Sequence, residues 1–141
     1  VGLRLPVGNV TVLLGPDAAR RRVMTALDDD SGRCASGHAS VPVHRLAAGV
    51  DDDVHRRLAA LEAVRQAGAT IVLVDRFTDG LAAPDRRAVL AALRPVATTG
   101  RAVLVDDTDP VAALAVADGA LRADPAGGLA SEPVGDLDPL S

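Results

Sequence analysis

The residues most able to do chemistry lie in the segment Gly15-Pro-Asp-Ala-Ala-Arg-Arg-Arg-Val23. It follows an apolar run, Val10–Leu14, and precedes a helical stretch. A loop that cradles phosphates has this position and the pattern Gly-x-x-x-x-Gly-Lys-Ser/Thr. Gly15 supplies the first glycine, but Arg20, Arg21 and Arg22 stand where the second glycine, the lysine and the hydroxyl residue belong. A second candidate is Asp75, at the end of the apolar run Ile71–Val74. A third is Asp106, Asp107 and Asp109, clustered after the run Ala102–Val105. Carboxylates at strand ends sit where α/β sheets place ligand sites, although Asp followed by Pro also serves as turn chemistry. Turn chemistry is the favoured reading of that cluster. Cys34, His38, His44 and His55 match no compact zinc-ligand spacing. Ser36 and Ser40 lack the Gly-x-Ser-x-Gly turn that would present a nucleophile.

These residues need a scaffold. The three runs are continuously apolar rather than alternating, as strands buried on both faces require. Between them, Arg56–Gln66 and Pro84–Val96 carry apolar residues at helical spacing, and Pro110–Val116 reads as a third, short helix. Strands alternating with helices predict an α/β fold, a mostly parallel sheet with flanking helices. Ala120–Arg122 and Leu129–Ser131 read as short edge strands. The expected organisation is one domain over 1–126, with a closing hairpin and tail over 127–141. Two Asp triplets stand out. Asp51–Asp53 precede a predicted helix, where the helix dipole favours carboxylates and one can cap. Asp28–Asp30 follow the first helix and Arg20–Arg22 open it, the reverse of the stabilising order.

Composition narrows the function classes. The 141 residues suffice for one core, and 48% are apolar. Phe77 is the only aromatic residue, so the core is built from Val, Leu and Ala, and no platform exists for stacking single-stranded bases. All 15 basic residues are Arg, and the net charge is −4. That balance speaks against nucleic-acid or anionic-membrane binding. A lone Cys permits no intramolecular disulfide, which suits a reducing compartment. No apolar run is long enough to span a membrane, no leader is legible, and a cytoplasmic location is expected.

Taken in order, the motifs resemble those of the nucleotide-binding domain of ABC-type ATPases, within the P-loop NTPase superfamily, nearly end to end. Leu13 to Leu27 resembles the Walker A loop and helix. Val72-Leu-Val-Asp-Arg-Phe-Thr-Asp-Gly-Leu81, with Pro84-Asp-Arg-Arg87, is similar to the Walker B strand and D-loop, usually L-L-D-E-P-T-S-G-L-D. Val103-Leu-Val-Asp-Asp-Thr-Asp-Pro110 is similar to the switch-histidine strand, V-x-V-x-T-H-D-P. Gly127-Gly-Leu-Ala-Ser-Glu-Pro133 resembles the closing hairpin.

The resemblance implies roles that several residues here do not suit. Arg21 stands for the phosphate-binding lysine, with a planar fork that demands a different geometry. Arg22 stands for the Mg²⁺-ligating hydroxyl, and a guanidinium has no lone pair to give. Ala18 and Arg20 replace glycines of the anion nest. Asp75 matches the Walker B Asp, but Arg76 stands for the catalytic Glu, Thr108 for the switch His and Ala82 for the D-loop Asp. The signature position falls on Asp51-Asp-Asp-Val-His55. Only 47 residues, 24 to 70, separate Val23 from Ile71, too few for the helical subdomain that couples the family to membrane partners. A truncated, catalytically inactive pseudo-ATPase is therefore expected. Arg20–Arg22 should fill the phosphate channel or face solvent, and Asp75 should pair with an Arg such as Arg21. The alternative is a vestigial phosphate and Mg²⁺ site at Gly15, Arg20, Arg21, Arg22 and Asp75, in a nucleotide sensor or an ATP-binding transporter subunit. No cofactor is expected under the first reading, ATP with Mg²⁺ under the second. The partner expected is a protein: a second copy, an active ATPase or a transporter-associated protein, with neither nucleic acid nor direct membrane insertion.

Overall fold

The structure, a computed structural model, describes residues 5–29, 43–49, 52–67, 70–126 and 128–132. Six strands form one sheet: β1 (Val10–Leu14), β2 (Val43–Ala47), β3 (Ile71–Asp75), β4 (Ala102–Asp106), β5 (Gly119–Ala123) and β6 (Leu129–Glu132). Their order is β2-β3-β4-β1-β5-β6, all parallel except β6, which returns antiparallel to β5. The helices are α1 (Asp17–Asp29), α2 (Val54–Gln66), α3 (Ala83–Ala91), α4 (Leu93–Thr98) and α5 (Pro110–Leu114).

Alternation along the strands sorts the core into two clusters, because successive side chains point to opposite faces. Val10, Val12 and Leu14 of β1 join Val72, Val74, Val103 and Val105 under α2, α3, α4 and α5. Leu13, Leu73, Leu104 and Leu121 face the other way and pack with Ala19 and Met24 of α1. The α1 stripe of Ala19, Val23, Met24 and Leu27 has the spacing of one helix face. Among the described residues, one helix thus serves one face and four serve the other.

Three local expectations are corrected. The segment Pro84–Val96 is two helices, not one, with the break at Ala92. Pro95 explains it: a proline has no N–H for the carbonyl four residues back, and its ring clashes there, so the chain restarts a helix with Pro95 in its first turn. The strand β2 is an element that the apolar runs do not reveal. As an edge strand it buries only Leu46 well, while His44, Arg45 and Ala47 are exposed. Finally, α1 opens at Asp17 rather than at Arg20. An acid in the first turn complements the dipole, and Arg20–Arg22 fall beyond that turn. The Asp28 and Asp29 side chains and Asp30 lie outside the described residues.

Candidate functional site

The connection after β1 leads to α1 on one face of the sheet, and the connection after its neighbour β4 leads to α5 on the other. That divergence is the topological switch point where open α/β sheets bind ligands, at the carboxyl ends of the strands. Of the sequence-selected residues, Gly15, Arg20, Arg21 and Asp75 collect there, together with Asp106, while Arg22 does not.

The register explains the carboxylates. Asp75 and Asp106 are directly paired residues at the ends of β3 and β4. Each lies two residues after a leucine of the α1-side cluster, Leu73 and Leu104, so the same alternation turns both carboxylates under α1. Both are buried. Three guanidinium groups meet them, and a fourth pairs with Asp17, close by in sequence to Arg20. Arg20 Nη1 donates to Asp106 Oδ1 and, at 3.2 Å, to the Asp107 carbonyl, while its Nε donates to the Gly15 carbonyl at 3.1 Å. Arg21 Nη2 donates to Asp75 Oδ1, the ion pair the sequence suggests. Arg45, from the edge strand β2, donates through Nε (3.1 Å) and Nη2 to Asp75 Oδ2. Arg76 reaches Asp17 at the start of α1. Arg22 stands apart and donates to the Pro125 carbonyl at 3.2 Å.

Asp106 is the least comfortable member. Its Oδ2 lies 3.2 Å from Arg21 Nη2, near enough for ion pairing, yet it accepts no well-formed hydrogen bond. Burial pushes its pKa up, against the pull of Arg20 and Arg21 and with a smaller push from Asp75. Burying a charge is costly unless it is paired and fully hydrogen-bonded.

The backbone is equally committed. Gly15 has φ +117°, and a Cβ there would come within 2.2 Å of the Ala123 carbonyl oxygen. A glycine is therefore required to pass β5, independently of any phosphate. Two residues later the chain is helical, and the Arg20 N–H is already bonded to the Pro16 carbonyl at 3.0 Å. A phosphate nest needs consecutive N–H groups turned inward, and from Asp17 onward these point along a helix axis. The residues present do not fit a Mg²⁺–nucleotide: the carboxylate that would hold the metal is held by arginines.

The remaining candidates have structural employment. Asp109 caps α5 by accepting from the Ala112 N–H at 3.1 Å. Asp107 accepts from the buried Thr78 hydroxyl at 2.6 Å and from the Asp109 N–H at 2.8 Å, tying together the loops after β3 and β4. Thr108 donates to Asp79 at 2.9 Å. Asp53 caps α2, and the bond from the Arg56 N–H holds its carboxyl below its ordinary pKa. Arg76 adopts φ +51°, a left-handed conformation uncommon outside glycine, with its N–H on the Asp106 carbonyl at 2.7 Å. Among the described residues no group of three or more His, Cys, Asp or Glu is placed to hold a metal. His44 and His55 are exposed on β2 and α2. Asp51, Cys34, His38, Ser36 and Ser40 lie outside the described residues. Sequence reasoning missed Arg45, which falls in no motif, and Arg57. Arg57 is only 3% exposed and spends its donors on the carbonyls of Asp52, Phe77 and Asp79, fastening α2 to the loop after β3.

Comparison with solved structures places the fold. The chain has an ABC-ATPase-like α/β core. It is similar to an ATP-binding subunit of an ABC transporter, with TM-score 0.60 and 9% identity over 96% of this chain and 82% of the other. It is also similar to a transporter described as of the metal-chelate ABC type, in an inward-facing conformation. There the TM-score is 0.59 and the identity 12%, over 97% of this chain and 76% of that one. No family model matches the chain, and no curated relative matches it. Among the described residues no helix is long and apolar enough to cross a membrane.

Proposed function

We propose that this chain is a non-hydrolysing ABC-ATPase-like domain that acts through contact with another protein, as a regulatory or structural partner. The observation that carries the reading is the occupation of Asp75: Arg21 takes one carboxylate oxygen and Arg45 the other. A carboxylate so engaged is not available to a metal, and Arg76 beside it cannot activate water. With the ligand position filled from within, the surface of the retained fold is what remains to act.

Calorimetric titration with ATP and Mg²⁺ tests the first half. The expected result is no saturable heat up to millimolar nucleotide, and micromolar binding would overturn it. Native purification followed by mass measurement tests the second half. Recovery in a defined complex is expected, and a chain that always elutes alone as a monomer counts against it.

A second reading is an ATP-binding subunit of an ABC-type transporter, or a nucleotide sensor. The fold of the two similar structures favours it. It requires Arg21 and Arg45 to release Asp75 when nucleotide arrives, so ATP protection of the chain against thermal unfolding would support it.

A further inference from the structure

The opposite side of the switch point holds a different kind of surface. Between the ends of β1 and β5 and the helix α5 lies a groove of about 480 Å³. Its walls are aliphatic: Leu14 from β1, Pro16 from the following turn, and Pro110, Val111 and Leu114 from α5. Gly15, the buried Leu13 and two guanidinium groups, of Arg20 and Arg122, complete the lining, and no carboxylate belongs to it.

The two arginines differ in what they have left to give. Arg20 is committed to Asp106, to Asp17 and to the carbonyls of Gly15 and Asp107. Arg122 is about half exposed and engages Glu132 through Nε and Nη2. Its Nη1 donates to no described residue. An arginine fork with a free edge, beside an aliphatic wall, suits a planar anion such as a carboxylate.

The lining also excludes other ligands. The chain's sole aromatic, Phe77, belongs to the core and not to the groove, so no base or aromatic ring can be stacked there. With no acidic side chain in the lining, an amine or metal cation has no counter-charge. The volume lies at the lower end of small-molecule sites, which run from about 300 to 1,000 Å³ and are mostly apolar with a few polar groups.

We infer that this groove binds a small aliphatic carboxylate, with the chain against α5 and β1 and the carboxylate on Arg122. Arg20 borders both the groove and the junction, but the contacts inferred for the ligand are with Arg122 and α5, which take no part in the arginine–aspartate pairing under α1.

The test is titration of the full chain with octanoate, followed through the methyl resonances of ¹³C-labelled Leu and Val. Saturable shifts of Leu14, Val111 and Leu114 are expected at millimolar octanoate or below. Affinity should fall about 2–4-fold for each methylene removed towards butyrate. Octanol and octylamine should bind at least about 10-fold more weakly, since a charge-assisted bond to the guanidinium is lost. Arg122→Gln should weaken octanoate about 10-fold or more by the same argument. Val111→Asp, a change at an exposed position, should abolish binding while leaving the thermal melt in place. Shifts that fail to saturate, equal binding of octanol, or indifference to both substitutions would overturn the inference. These outcomes leave the ATP titration untouched, so the two claims fail separately.

Discussion

On the α1 face the strands β3 and β4 run out into charge: the two leucines that bury the helix are followed by two aspartates, and four arginines converge on these and on Asp17. On the α5 face β1 runs out into aliphatic wall, with Leu14 opposite Pro110, Val111 and Leu114. The carboxyl end of one sheet thus has two endings, which meet where β4 neighbours β1. The charged ending is occupied from within: arginines take both oxygens of Asp75 and one of Asp106, while Arg21 Nε, Arg76 Nε and Asp106 Oδ2 are left without a hydrogen bond. The apolar ending is open, because α5 is only five residues long and leaves part of β5 uncovered. A carboxylate whose two oxygens are both held by arginines, as those of Asp75 are, has little to offer a metal, whereas an apolar surface in water gains by being covered.

The strongest way to break this contrast is to remove the carboxylate that the junction can least spare. Asp106→Ala should cost about 3–5 kcal/mol in urea unfolding, since it leaves Arg20 partly buried without its partner. Gly15 separates the two endings, and Gly15→Ala should cost about 2–4 kcal/mol, combining backbone strain with a clash against β5. A double-mutant cycle sharpens the account of the closed side. Arg21→Ala and Arg45→Ala should each be mild, because the other arginine still holds Asp75. The double variant should exceed their sum by about 1–3 kcal/mol.

Acid titration probes the same residue more gently. A folded-state pKa raised by burial means that Asp106 binds its proton more tightly folded than unfolded. Its contribution to stability is present below the unfolded pKa and is lost as pH rises through the folded one. Asp53 and Glu132, both lowered, act in the opposite sense. Stability of Asp106→Asn should therefore climb more steeply with pH across the carboxylate range than that of the unaltered chain, as measured by urea midpoints. The smallest effect belongs to the open side: Val111→Asp should change stability by no more than about 0.5 kcal/mol, as surface substitutions do.

How much of this was legible depends on how each element is buried. The strands β1, β3 and β4 announce themselves as apolar runs because both their faces are covered. The edge strand β2 satisfies only one face, so Val43-His-Arg-Leu-Ala47 carries too little apolar signal, and with it Arg45 is lost from view. The pair Arg21–Asp75 was legible because motif order brings α1 over the end of β3. The third partner was not, since only the register of β2 against β3 delivers it. The break between α3 and α4 was written in Pro95, but the apolar spacing on either side masks it. The start of α1 at Asp17 was ambiguous, because Gly-Pro-Asp suits both a loop and a capped helix. The groove depends on the shortness of α5, and helix length is the least readable property of a sequence.

The presence of Arg45 also bears on the routes by which this chain could change. Arg21→Lys alone would recreate a lysine at the phosphate position, yet Asp75 would stay held from the neighbouring strand. Arg20→Gly would make room in the turn, yet strand Asp106 beneath it. Each single step towards a phosphate cradle is met by an unsatisfied charge or a remaining occupant. A phosphate cradle here would need several simultaneous replacements in α1 and β2. The junction is in that sense a ratchet: each member's replacement is penalised by the partners that remain.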